Sequence, residues 1–138
     1  MTFQLSASGN EAQNVRMHSY IMTIHGINTY VNPIAAEVVI APTPAEVDAG
    51  NTVVLACVGY GSPDPDITWS RNGNVLSNDS RVTIYEEVVT ESGVTFVQSI
   101  LEICSATLSD SGQYSCLATN LHGNDNATFD LTIVLGMC

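Results

Sequence analysis

Apolar and polar residues alternate in short runs along most of the chain. From Val53 to Val58 the residues Val53, Leu55 and Cys57 share one side of an extended strand, and Leu101 and Ile103 do the same in the stretch Val97 to Ile103. The spacing of two recurs in Ile67 and Trp69, in Tyr114, Cys116 and Ala118, and in Phe129, Leu131 and Ile133. The β-rich runs are Glu37 to Ile40, Val53 to Val58, Ile67 to Arg71, Asn74 to Leu76, Val82 to Val89, Val94 to Ile103, Gln113 to Thr119 and Ala127 to Leu135. Turn signals separate them, among them Asn32-Pro33, Asn72-Gly73, Ser92-Gly93, Ser111-Gly112 and His122-Gly123. So many strands cannot all lie in one half-wet sheet, so the pattern predicts an all-β sandwich of two packed sheets. No amphipathic helix and no internal repeat is legible.

The alternation places Cys57 and Cys116, 59 positions apart, on the inward faces of different strands, with Trp69 twelve residues after the first. Around them stand Leu101-x-Ile103, the run Asp110-Ser111-Gly112-Gln113-Tyr114-Ser115-Cys116, then Ala118-x-Asn120-x-x-Gly123 and Leu131-x-Ile133. This set resembles the immunoglobulin superfamily. The short interval from Trp69 to Arg81 leaves no room for the extra strand of variable domains, and the Ala-x-Asn-x-x-Gly ending is similar to the intermediate, or I-set, type. The resemblance implies a two-sheet antiparallel Greek-key sandwich over about residues 37–135. It also implies a disulfide between Cys57 and Cys116 with the indole of Trp69 packed on it, and Leu101 in the core. Tyr114 falls where the family places its tyrosine corner, and Arg81 and Asp110 where it places an ion pair across one end of the sandwich.

Composition then narrows the function. The chain has 138 residues, 45% hydrophobic and 12% charged, enough apolar surface to fold one domain with a modest extension. No run reaches the roughly 20 apolar residues of a membrane-spanning helix; Ile21 to Ile27 is short and interrupted by Thr23, His25 and Gly26. Met1 to Val15 lacks the basic and apolar regions of a secretory signal. Three arginines and no lysine stand against fourteen acids, for a net charge of −11, a surface that repels phosphate backbones and anionic lipid and so argues against nucleic-acid and acidic-membrane partners. The same charge favours a basic protein partner and disfavours homophilic contact.

Candidate chemistry is sparse. The cysteines Cys57, Cys104, Cys116 and Cys138 contain no C-x-x-C pair and no histidine at ligand spacing, which argues against zinc. Cys104 follows inward Ile103 and should face out; a second bridge to Cys138, a link to another subunit and free thiols all remain readings of that pair. The acids Asp64, Asp66, Asp79, Glu86, Glu87 and Glu91 show no calcium-loop spacing and read as a solvated face. His18, His25 and His122 have no nucleophile partner, and Ser111 lies in a Ser-Gly bend, so neither an enzyme nor a cofactor is expected. Asn78-Asp79-Ser80 and Asn126-Ala127-Thr128 are acceptor sequons for N-linked glycan, with Asn126 on the outward side of the last strand.

Outward positions of the Gln113–Thr119 and Ile67–Arg71 runs are mostly polar, whereas Val54, Val58 and Ile100 form an apolar strip on the other sheet and are the candidate contact face. Residues 1–36, in which Tyr20, Met22 and Ile24 alternate, read as a cover for that strip or as a remnant of a preceding β domain, and residues 136–138 as a tail carrying Cys138. The resemblance implies a protein-recognition module of a cell-surface adhesion or receptor ectodomain. Two alternatives stand beside it: an intracellular spacer like the I-set domains of muscle filament proteins, and the ligand-binding module of a receptor kinase or phosphatase.

Overall fold

Residues 2–6, 19–24, 27–31 and 33–136 are described in a computed structural model of the chain. Three N-terminal strands, β1 (Thr2–Ser6), β2 (Ser19–Ile24) and β3 (Ile27–Val31), form an antiparallel sheet in that order. The remaining nine are β4 (Ile34–Ile40), β5 (Ala45–Asp48), β6 (Val53–Ser62), β7 (Asp66–Arg71), β8 (Asn74–Val75), β9 (Val82–Glu91), β10 (Val94–Ile103), β11 (Gly112–Asn120) and β12 (Gly123–Val134). They build one sheet of order β4-β6-β10-β9 and a second of order β5-β12-β11-β7-β8, and a 3-10 turn at Leu108–Asp110 leads into β11.

Alternation explains the packing. Along β6 every second residue from Val53 is buried, and along β11 Tyr114, Cys116 and Ala118 are. The inner faces meet in one core in which Leu55, Cys57, Leu101 and Ile103 of the first sheet face Trp69, Cys116, Phe129 and Leu131 of the second. Aromatic rings fill its centre: Trp69 meets Phe129 edge-on at 6.3 Å, and Tyr114 stacks on Phe129 at 6.0 Å. Between β8 and β9 the described chain carries no further strand, which is the I-set arrangement.

Two hairpins close as their sequences predict. Asn72-Gly73 and Ser92-Gly93 each supply two residues of positive φ, 50° and 85° in the first and 52° and 79° in the second. That geometry matches the right-handed twist of flanking strands. The observed strands depart from the sequence reading in several places, and β4 begins at Ile34 rather than at Glu37. β6 continues four residues past Val58, because Gly59 and Gly61 serve close packing and do not turn the chain; a Cβ on Gly61 would lie 2.8 Å from the Asn120 amide nitrogen. β12 begins at Gly123, extending its hairpin with β11 down to the pair Asn120 and Gly123. Ala45–Asp48 forms an unanticipated strand that pairs parallel to β12, so the sheet is not wholly antiparallel. A parallel partner far along the chain leaves no local signature.

Candidate functional site

The interior chemistry is structural. Cys57 and Cys116, both fully buried, are joined by a disulfide with Cα atoms 6.6 Å apart. The Trp69 Nε1–H donates to Ser99 Oγ at 2.9 Å, so the one buried hydroxyl of β10 and the buried indole satisfy each other. Tyr114 donates its hydroxyl proton to the Asp110 carbonyl at 2.6 Å, closing a turn of four residues, and burial pushes its phenol up.

Asp110 is the second organised point. Its side chain is almost wholly buried, yet the Arg81 guanidinium grips both carboxylate oxygens at 3.0 Å, and the Thr107 amide donates to Oδ2 at 2.8 Å. These donors, Arg81 first, hold the Asp110 carboxyl below the usual value of 3.8 despite a desolvation that opposes them. Arg71 approaches the same carboxylate at 3.6 Å. Arg81 is delivered by Asp79, whose Oδ1 accepts the backbone N–H groups of Arg81 and Val82 at 2.7 Å each; those bonds lower the Asp79 carboxyl in turn. Ser111 accepts from the Ile133 amide at 2.8 Å, which ties the bend to β12.

A polar latch at the opposite end was not anticipated from sequence. Asn120 accepts from the Ala36 amide at 3.2 Å and donates to the carbonyls of Ile34 and Pro63 at 2.8 and 2.9 Å. Asp125 accepts from the Val38 amide at 2.9 Å. Strand β4 belongs to the first sheet by pairing with β6 but is clasped by side chains of the second.

Among the remaining sequence candidates, Cys104 is exposed just after β10 and is in no disulfide among the described residues, while Cys138, His18 and His25 lie outside them. Asn78 and Asn126 are both exposed; Asn126 pairs across to Leu117 on the outward side of β12. Asn78 Oδ1 accepts from the Ile84 amide at 2.6 Å. Among the described residues no group of three or more histidine, cysteine or acidic side chains could hold a metal, and no helix is long and apolar enough to cross a membrane.

The outer faces of the two sheets differ. On the β11 and β12 side the outward residues include Gln113, Ser115, Thr119, Thr128 and Asp130, nearly all polar. On the β4-β6-β10-β9 side Val54 is 60% exposed and Ile40 61%, and Val58 and Ile100 are half-buried. The strip is not simply Val54, Val58 and Ile100 in contact, since their neighbours across the strands are Glu102, Gln98 and Ala56. Continuity comes from residues that the sequence reading left out. Tyr60 packs on Phe96 at 5.6 Å between rings, Phe96 pairs with Val89, and Ile100 pairs with Tyr85. A Glu102 carboxylate beside Tyr85 pushes its phenol up. The parity of Phe96, set by the inward Val97, was the available signal for this cluster.

The fold and these contacts define an immunoglobulin-type β-sandwich. Residues 36–133 match the immunoglobulin I-set domain family, and the chain belongs to it. Human protein sidekick-1 is 33% identical over 131 residues, 95% of this chain and 5% of its own length. That similarity reaches well outside residues 36–133. The fibroblast growth factor receptor of Halocynthia roretzi is 33% identical over 85 residues, 62% of this chain and 10% of its own. The chain therefore spans only a small part of these relatives. In the crystal structure of a complex between titin M10 and a mutant obscurin-like 1 Ig domain, one chain matches with a TM-score of 0.64 at 24% identity, covering 77% of this chain and 99% of that one, which is a likeness of fold.

Proposed function

We propose that this chain is a non-enzymatic protein-recognition module from the extracellular part of a cell-surface adhesion or receptor protein. The observation that carries the reading is the division of labour across the sandwich: titratable and hydroxyl groups at Asp110, Ser111, Ser99 and Tyr114 are spent on internal bonds, while one outer sheet face presents apolar side chains to solvent. Such a molecule acts by rigid display, and affinity comes from a few anchors buried on contact. The relationship to receptor chains and the disulfide support an oxidising location. Residues 37–135 are the recognition unit in this reading, and residues 1–36 are an extension or part of a preceding β domain. In this reading Asn78 and Asn126 carry the glycans, and the one on Asn126 would shade the β11 and β12 face, on which Asn126 stands.

The test is the intact mass and thiol count of the protein from its native source. The reading expects a mass that falls on treatment with an N-glycosidase, and Cys57 and Cys116 that alkylate only after reduction. An unglycosylated protein whose Cys57 and Cys116 alkylate without reductant would make it an intracellular spacer instead.

A further inference from the structure

We infer that the outer face of β4-β6-β10-β9 docks a basic protein surface that inserts an aliphatic side chain beside Phe96. This deepens the recognition reading above and rests on it. A groove of 240 Å³ opens on this face between Ile40, Val58, Val89 and Phe96, with Gln98 and Glu91 also lining it. An apolar cavity of about 150 Å³ holds a benzene ring, so there is room for one branched or aromatic side chain.

Charge selects the occupant. Besides Glu91, the face carries Glu87 across from Gln98, Glu37 across from Tyr60, and Glu102 across from Val54. Cross-strand partners share a side of a sheet, as do residues two apart on one strand, so Glu37 and Glu102 border Tyr60 and Val54, Glu87 stands between Tyr85 and Val89, and Glu91 lines the groove itself. No base offsets them among the described residues. The chain has no lysine, and Arg71 and Arg81 both turn to Asp110. Arg81 also donates to the carbonyls of Cys104 and Ser105, just past the end of β10, whereas Phe96 lies near its start. A second copy laid face to face would bring acids against acids and, among the described residues, contribute no cation. Lysine or arginine flanking an apolar anchor would pair with Glu87 and Glu91 while the anchor fills the groove, which combines steering with desolvation of the centre.

Two synthetic nonapeptides of equal charge test this against the isotope-labelled full chain by NMR titration. One alternates lysine with leucine and the other alternates lysine with serine. The expected result is at least tenfold tighter binding of the leucine peptide, with shifts centred on the amides of Val58, Val89, Phe96 and Gln98. The paired change Glu87→Lys with Glu91→Lys should weaken it at least tenfold. Equal affinity for both peptides would reduce the effect to bulk charge and overturn the proposal, as would the absence of binding. Concentration-dependent self-association through these amides would make a second copy the occupant, and contacts from residues 1–31 to them would make it this chain's own N-terminal part; either overturns the proposal. A leucine peptide bound to the β11 and β12 face or to the loops would also overturn it while leaving the recognition reading standing, since that reading is tested separately by the native mass and thiol count.

Discussion

Replacing Trp69 probes the sandwich where its two sheets are joined. The indole is 1% exposed, packs edge-on to Phe129, and gives its only N–H to the wholly buried Ser99. Trp69→Ala removes a large buried side chain and leaves a cavity beside the disulfide, at a cost of about 3–5 kcal/mol. Trp69→Phe keeps most of the apolar bulk but orphans the Ser99 hydroxyl, and Ser99→Ala orphans the indole N–H; each loss of a buried partner costs about 1–3 kcal/mol. Removing both partners abolishes the unmet donor and acceptor together. The double variant Trp69→Phe with Ser99→Ala should therefore be more stable than the sum of the single losses allows, by about 1 kcal/mol or more. Far-UV circular dichroism in urea is the assay, since the chain contains a single tryptophan and the Trp69 variants lack its fluorescence. The denaturation midpoint should move with the slope unchanged. Strict additivity of the two single losses would refute the claim that this hydrogen bond satisfies two buried groups.

Other outcomes follow from the same contacts. Arg81→Ala should lower the denaturation midpoint more than Arg71→Ala, because Arg81 makes two 3.0 Å bonds to the buried Asp110 carboxylate and Arg71 stands at 3.6 Å; equal losses would remove the case for that pair. The folded Asp110 carboxyl is held below its ordinary 3.8, so its contribution to stability is complete above that value and is lost as pH falls through the folded pKa. Asp110→Asn should thus flatten the acid limb of a stability-against-pH curve. Tyr114→Phe leaves the Asp110 carbonyl without its hydroxyl donor and should cost about 1–3 kcal/mol in the same urea titration. Reduction of the bridge between Cys57 and Cys116, which closes a loop with a sequence separation of 59, should cost about 4 kcal/mol on the chain-entropy scale, read by comparing unfolding with and without reductant.

Much of the sandwich was legible because burial imposes a period of two. Val53, Leu55 and Cys57 on β6 and Tyr114, Cys116 and Ala118 on β11 could occupy only one face each, and those faces are the core. What escaped was set by contacts distant in sequence. The strand Ala45–Asp48 is short, follows Pro42 and Pro44, and exists through its parallel pairing with β12. Glycine misled at residues 59–62, where Gly59 makes room for Pro65 and Ile67 rather than turning the chain. The Asn120 and Asp125 latch on β4 joins residues more than 80 positions apart, and neither side chain announces it. The outer apolar face was read from two strands only. Its breadth depends on Ile40 and Tyr85, whose strands flank the pair on either side.

The most direct trial of the central claim is adhesion of beads coated with this chain to cells of the tissue that makes it, compared across outward substitutions on the two sheets. Ile100→Asp places a charge on the apolar face, and Leu117→Asp places the same charge on the polar one, where Leu117 pairs with Asn126. If the chain recognises a partner through β4-β6-β10-β9, beads bearing the native chain or Leu117→Asp adhere well above uncoated beads and Ile100→Asp beads do not. Adhesion lost with Leu117→Asp and kept with Ile100→Asp, or no adhesion by the native chain beyond uncoated beads, would contradict it.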